Sequence, residues 1–438
     1  MAQKHHKNII IGGGIAGLSL GGRLSSDSII IEREKTLGGL SRSYDFCGTK
    51  FDVGPHIIFS KNEEVLTKHS SMVPTNKIKR SNQIYIHNRY VKYPFENDLS
   101  SLPKKINLHC LNEFLNNPYE KMDYSNMQQF FLKTFGQGIC DEYLIPYNKK
   151  IWKFDPSCLD TQMVERIPKP PAEDIIKSSS GQTTEGYLHQ LYYHYPRSGG
   201  FQSLIDKYEL EFRAHNNLNE IMLSTEILSI EKSEKWKVSL LDGTTIIGDR
   251  LINTAPIHEF KNLIQLPKEI ESTIDNLLYN SIHIVMIAAK EDTIGDNFAL
   301  YIPQEDVIFH RLSKLNFLGE NYAGKNGETI LMAEITFRPK SSLSRLDNKE
   351  ILKATIEGLG KLGFVKEQSI VDSKILTEKY AYIIHDLDCR KNTDTVLSAF
   401  KKLGIQSVGR FALFEYLNTD GVVEKSWILA DELNNDNY

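Results

Sequence analysis

Between Gly12 and Gly17 the chain carries Gly-Gly-Gly-Ile-Ala-Gly, entered from the β-branched run Asn8 to Ile11 and left into the apolar-periodic stretch Ile15 to Leu24. In Gly12-x-Gly14-x-x-Gly17 the first glycine permits a tight turn, the second lets backbone approach a pyrophosphate, and the third lets helix pack on strand. The amino end of the helix then faces the anion with unsatisfied N–H groups. A second buried strand, Ser28 to Glu32, follows, and Glu32 at its end is suited to accept hydrogen bonds from ribose hydroxyls. The pattern predicts a βαβ unit that opens a Rossmann-type dinucleotide-binding fold, with Gly12, Gly14, Ile15, Ala16, Gly17 and Glu32 as its first contacts.

A chain of 438 residues exceeds what one compact core usually fills, so two or three interleaved units are expected. Hydrophobic residues make up 40% and charged residues 25%, with a formal net charge of -4 from well-mixed acids and bases. That balance leaves no electrostatic footprint for nucleic acid, and an anionic ligand must be held by local arginines. The run Ile9 to Ile11 is too short for a signal-peptide core, and no stretch approaches the roughly 20 apolar residues needed to span a bilayer. No membrane partner and a cytoplasmic location are the expectation. Cys47, Cys110, Cys140, Cys158 and Cys389 lack the spacing of a zinc site or disulfide framework, so reduced thiols and no metal are expected.

Further along, Asn82 to Tyr93 alternates like hairpin strands, and Met127 to Trp152 carries apolar residues at helical spacing. Three prolines between Ile167 and Ala172, and the polar stretch Ser178 to Glu185, read as a mobile loop near 168–186. Lys235 to Leu241, Asp242-Gly243 and Thr244 to Asn253 read as a hairpin, and strands recur at Ile282 to Ala289, Phe298 to Leu312 and Ile330 to Thr336. The strand Ile405 to Gly409 and helix Val422 to Leu433 return to the first unit. An α/β fold is expected: a Rossmann-type nucleotide-binding fold interleaved with a helical insertion and an antiparallel β-sheet substrate domain. The nucleotide-binding unit would take 1–80, 195–275 and 386–438. Sheet strands at 81–96, the helical insertion at 97–194 and the sheet domain at 276–385 would fill the gaps.

Gly38-Gly39-Leu40-Ser41-Arg42 resembles the second glycine pair of FAD enzymes in the amine oxidase and protoporphyrinogen oxidase class. Tyr195-Pro196-Arg197-Ser198-Gly199-Gly200-Phe201 and Asn253-Thr254-Ala255-Pro256 resemble later FAD-contacting segments of that class. The resemblance spans most of the chain and implies FAD, with Arg33, Gly39, Leu40 and a phosphate-reaching Arg42 joining the cofactor contacts.

Other motifs resemble the UDP-galactopyranose mutases. Gly54-Pro55-His56-Ile57-Ile58-Phe59-Ser60 looks like the segment that sets a histidine backbone against the flavin, which implies Gly54 and His56. Arg89-Tyr90-Val91-Lys92-Tyr93-Pro94-Phe95-Glu96-Asn97 resembles the segment flanking uracil, which implies Tyr93, Phe95 and Glu96, the last departing from the family's glutamine. Phe135-Gly136-x-Gly138, Tyr147-Asn148-Lys149-Lys150-Ile151-Trp152 and Glu165-Arg166 resemble a helix pair ending in a diphosphate-binding arginine, which implies Asn148, Trp152 and Arg166. Phe309-His310-Arg311 resembles the strand bearing the second such arginine, Arg311. Tyr382-Ile383-Ile384-His385-Asp386 resembles the segment of a diphosphate-contacting tyrosine. Gly409-Arg410-Phe411 and Tyr416-Leu417-Asn418-Thr419-Asp420 resemble the final flavin and substrate segment. They imply Tyr382, Tyr416 and Asn418 for substrate, and Gly409, Arg410, Asp420 and Gly421 for cofactor. Gly421-Val422-Val423 stands where the family carries bulkier residues.

The resemblance implies a mutase that interconverts pyranose and furanose forms of a nucleotide-diphosphate sugar, with N5 of reduced FAD as nucleophile on the anomeric carbon. Catalytic roles would fall to His56, Arg166 and Arg311, and a reductant such as NAD(P)H or a reductase would be a partner. Because fold does not fix chemistry, an FAD-dependent oxidoreductase is the alternative, and a flavin-binding protein without turnover a further one.

Overall fold

The computed structural model describes residues 3–164, 167, 170–182, 184–185 and 191–435. Among them, two seven-stranded sheets organise the chain. In the first, Glu220–Met222, Ser28–Ile31, Gln3–Ile11 and Thr245–Asn253 lie side by side in parallel, with Ile11 level with both Ile31 and Asn253. Ile405–Ser407 adds in parallel beside the end of Thr245–Asn253, whose start pairs instead with the antiparallel hairpin of Trp236–Leu240 and Ile227–Lys232. Strands covered on both faces need continuous apolar runs, which Ile9 to Ile11 and Ile29 to Ile31 supply. The βαβ expectation holds.

The helix Ile15–Gly21 is buried at every residue and ends earlier than the expected Leu24, where Gly21 and Gly22 stand in succession. It packs against Gln202–His215 and the long closing helix Thr419–Asn435.

The second sheet has the order Ile370–Ile383, Tyr279–Ala289, Thr329–Phe337, Arg311–Lys314, Ala299–Tyr301, Asn82–Ile86 and Arg89–Lys92. Its pairs are antiparallel except Ala299–Tyr301 with Asn82–Ile86, a parallel pair the sequence did not reveal. The expected strand Phe298 to Leu312 is split in two, because Pro303 has no N–H to give a ladder. The Asn82–Lys92 hairpin turns on His87 and Asn88, both at positive φ, which matches the right-handed twist of the flanking strands.

The helical insertion contains Lys104–Leu115, Met127–Ile139 and Ile145–Trp152, with a wider π-type turn at Cys140–Leu144. Gly136 breaks the helical run at φ 74°, and a Cβ there would lie 2.5 Å from the Glu113 carbonyl oxygen. The Phe135-Gly136-x-Gly138 motif thus lets two helices touch backbone to backbone. Within the stretch expected as a loop, Ala172–Ser179 forms a helix with Pro171 as its extended cap residue. Pro168, Lys169, Thr183 and Gly186 lie outside the described residues. The five cysteines are free thiols, and no helix among the described residues is long and apolar enough to cross a membrane.

Candidate functional site

The glycine turn forms a cradle whose walls come from distant segments. Gly12 sits at φ 108° with Thr254 beneath it, and Thr254 Oγ1 donates to the carbonyls of Ile11 and Gly12 at 2.9 Å each. A Cβ on Gly17 would lie 2.3 Å from the Gly12 oxygen, so only glycine closes the helix on the turn. Gly14 differs: its nearest neighbours would be Gly39 Cα at 3.9 Å and the Gly38 oxygen at 4.0 Å. Its open side faces the Gly38-Gly39 turn, which is joined to the first turn by Gly38 N donating to Gly13 O at 2.9 Å. No side chain caps the helix that begins at Ile15 and Ala16. Glu32 accepts from the amides of Gly13 (2.7 Å) and Glu34 (2.8 Å), which fixes its carboxylate while each oxygen keeps capacity for a further donor. An open glycine cradle, an uncapped helix end and a fixed carboxylate fit a dinucleotide.

Other expected cofactor contacts are less direct. Arg42 donates to the carbonyls of Thr36 (2.7 Å) and Leu37 (3.4 Å), so its guanidinium clamps the Gly38-Gly39 loop. Arg33 is largely exposed and pairs with Glu34 and Glu259, and Leu40 packs partly buried beside the sheet. Gly409 returns the chain against the cradle, where its Cβ would lie 3.1 Å from that of Ala16. Asp420 and Gly421 open the closing helix.

His56 rests on a hydrogen-bonded platform. Buried Asp52 accepts from Ser43 Oγ (2.5 Å), Phe201 N (3.1 Å) and the Tyr195 hydroxyl (2.6 Å), which ties the Tyr195 to Phe201 segment to the first unit. The His56 ring lies 5.1 Å from that of Phe201, with Nδ1 buried 3.8 Å from Asp52 Oδ2 and without a hydrogen-bond partner among the described residues.

Beside it stands a cluster of arginine and aromatic side chains. Arg311 forks onto the fully buried Glu334 through Nε and Nη2, a pair made possible by their register on adjacent strands. Burial alone would lower the Arg311 pKa, but the Glu334 carboxylate raises it well above the ordinary guanidinium value. A Cβ on Gly54, at φ 79°, would lie 3.3 Å from Glu334 Oε2 and 3.7 Å from Arg311 Nη2. The His56 segment and Arg311 therefore meet.

Tyr382 and Tyr416 lie nearly parallel, centroids 6.5 Å apart, and Trp152 meets both edge-on at 5.8 and 6.3 Å. Asn148 accepts from Trp152 Nε1 at 2.8 Å and donates to the Leu144 carbonyl at 2.7 Å, so its amide orients the indole. Tyr93 packs on Tyr301 at 4.9 Å, whereas Phe95 is fully buried and stacked on Tyr143 at 5.1 Å. Phe95 thereby belongs to the core behind Tyr143. Glu96 is 6% exposed, and burial pushes its carboxyl up to about 7. Asn418 is exposed just ahead of the closing helix. Arg166 lies outside the described residues. Arg410 reaches the tyrosine pair rather than the glycine turn, with its guanidinium carbon 4.2 Å from the Tyr416 ring centre.

Several contributors escaped the sequence reading: Glu334, Asp52 and Tyr301. An acid inside the apolar run Thr329 to Phe337 was the one signal for Glu334, since an isolated buried carboxylate needs a cation.

Residues 10–68 match the model of an NAD(P)-binding Rossmann-like domain. A solved structure of reduced UDP-galactopyranose mutase superposes with a TM-score of 0.89 over 98% of this chain and 93% of its own, at 22% identity. The chain has the fold of UDP-galactopyranose mutase. A putative protoporphyrinogen oxidase from Exiguobacterium sp. 255-15 shares the fold more loosely, with a TM-score of 0.74, 15% identity and full coverage of both chains. So does a putrescine oxidase redesigned in its cofactor binding, with a TM-score of 0.66, 12% identity and coverage of 98% and 99%. The mutase fold is thus one version of a scaffold that oxidases also use.

Proposed function

We propose that this chain is a flavin-dependent mutase that interconverts pyranose and furanose forms of a nucleotide-diphosphate sugar. The observation that carries the reading is the approach of the Gly54 to His56 segment to Arg311 and Glu334, which joins the expected flavin segment to an expected diphosphate cation. The mutase superposition supports it at the level of fold. FAD, when bound and reduced, supplies a nucleophilic N5 for the anomeric carbon. The protein's own part is binding and orientation.

The cradle from Gly12 to Gly17 holds the cofactor pyrophosphate, and Glu32 takes the ribose. Arg311 presents a permanent cation, oriented by Glu334, to the substrate diphosphate, with Arg166 as the second cation of that clamp. Tyr382, Tyr416 and Trp152 wall the cleft against water, and Tyr93 with Glu96 forms its base end. A reductant such as NAD(P)H or a reductase maintains the cofactor. No protein nucleophile is required.

The test is to incubate dithionite-reduced protein with UDP- and TDP-sugars and to separate pyranose from furanose products. Formation of furanose at the expense of pyranose, absent with oxidised protein, is expected. Bleaching of oxidised flavin by an amine, porphyrinogen or sugar, with no isomerised product from reduced protein, would replace the mutase by an oxidoreductase.

A further inference from the structure

Tyr382 and Tyr416 come from different units. Tyr382 belongs to the strand Ile370–Ile383 of the antiparallel sheet, and Tyr416 to the loop between the Ile405–Ser407 strand and the Thr419–Asn435 helix. Their rings nonetheless lie within 13° of parallel. No backbone hydrogen bond among the described residues joins the segment 381–384 to 415–418. Trp152 packs its edge against both rings, and among the described residues Arg410 joins the two segments by hydrogen bonds. Arg410 donates through Nη1 to the Leu417 carbonyl at 3.2 Å and through Nη2 to the Ala381 carbonyl at 3.3 Å. Its guanidinium carbon lies 4.2 Å from the Tyr416 ring centre and 5.8 Å from that of Tyr382. The preceding Gly409, at φ 115°, is pressed against Ala16 of the cradle, so the residue that follows leaves from a fixed point.

We infer that Arg410 is a positioning residue: it ties the two units at the cleft and holds Tyr382 and Tyr416 as one parallel wall. The planar fork suits the task because it reaches two carbonyls in fixed directions while offering a flat cationic face to a ring, and a lysine ammonium is a compact point charge without that geometry. The identity of the ligand that meets the wall rests on the proposed function, whereas the alignment itself rests on the contacts just described. Arg410 acts through the tyrosines, and its backbone leaves from the cradle against which Gly409 is packed.

The test uses the full chain with Arg410→Lys and Arg410→Gln, two variants that keep length or one donor but lose the fork. Tyrosine nitration by tetranitromethane, read by peptide mass spectrometry, should rise severalfold at Tyr416 and Tyr382 while buried Tyr208 stays unmodified. Unchanged nitration at both tyrosines in both variants would overturn the inference. Titration with UDP should then show about tenfold weaker binding in Arg410→Lys, as expected when a wall must be ordered on binding. In a Tyr382→Ala/Tyr416→Ala background the same substitution should have no effect. An effect that persists there would mean direct ligand contact or general loosening, and would also overturn it. If the unsubstituted protein binds neither UDP nor TDP, the substrate reading fails and nitration alone decides the positioning role.

Discussion

Gly14 and Gly17 belong to one turn and are predicted to answer substitution in opposite ways. Space beside Gly14 is open, so Gly14→Val should abolish FAD retention, measured by absorbance of the purified protein, while its melting temperature stays near that of the FAD-stripped wild type. Gly17→Ala meets the Gly12 oxygen and should instead destabilise the fold by roughly 1 to 3 kcal/mol, the usual range of overpacking. A Gly14→Val protein with stoichiometric FAD would remove the cofactor from this turn. Glu96 gives a prediction in pH. Burial raises its carboxyl from 4.5 to about 7, so between those values the folded state holds a proton that the unfolded chain releases. Stability is therefore lost as pH rises through that window and is level above it. Glu96→Gln should remove this loss, widening its advantage over wild type by up to about 3 kcal/mol between pH 4 and pH 8, read as a growing gap in melting temperature. A constant gap would mean that Glu96 is solvated.

At the scale of elements, the helix Ile145–Trp152 owes its setting to the sheet beneath it. Its last carbonyls are capped by side chains: Asn280 donates to Ile151 O (3.2 Å) and Trp152 O (2.6 Å), and Thr336 donates to Ile151 O (2.7 Å). Asn280→Ala and Thr336→Val should each lower stability by roughly 1 to 3 kcal/mol in thermal unfolding. The double variant should cost more than the sum, because only then is the shared Ile151 carbonyl left bare. Strict additivity would deny the shared cap. The amphipathic run from Met127 to Trp152 announced this helix pair, but periodicity says nothing about which strand residues receive it. The Ala172–Ser179 helix was hidden for a related reason: flanking prolines punctuate a chain equally well before a loop and before a first helical turn.

For the whole molecule, the decisive quantity is an electron count. A mutase needs reduced flavin but consumes no reducing equivalents, so under anaerobic conditions one round of reduction should support many product molecules per flavin. Product limited to one per flavin, or a requirement for oxygen, would favour the oxidase reading of the same scaffold. The glycine turn, the β-branched runs and the alternating strands were enough to determine a Rossmann-type unit interleaved with a sheet and a helical insertion, since each depends on local sterics or on a periodicity written along the chain. Tertiary structure alone decided the rest. Arg311 could be named from its motif, but its partner Glu334 became visible only when register set two strands side by side. Phe95 was legible as an aromatic at the cleft, yet only packing turned its ring onto Tyr143. Arg410 was legible beside Gly409, and only the approach of the sheet to the closing loop aimed it at two tyrosines. Contacts between residues far apart in the chain depend on where whole elements dock, and that is a property of the assembled core rather than of any local run of residues.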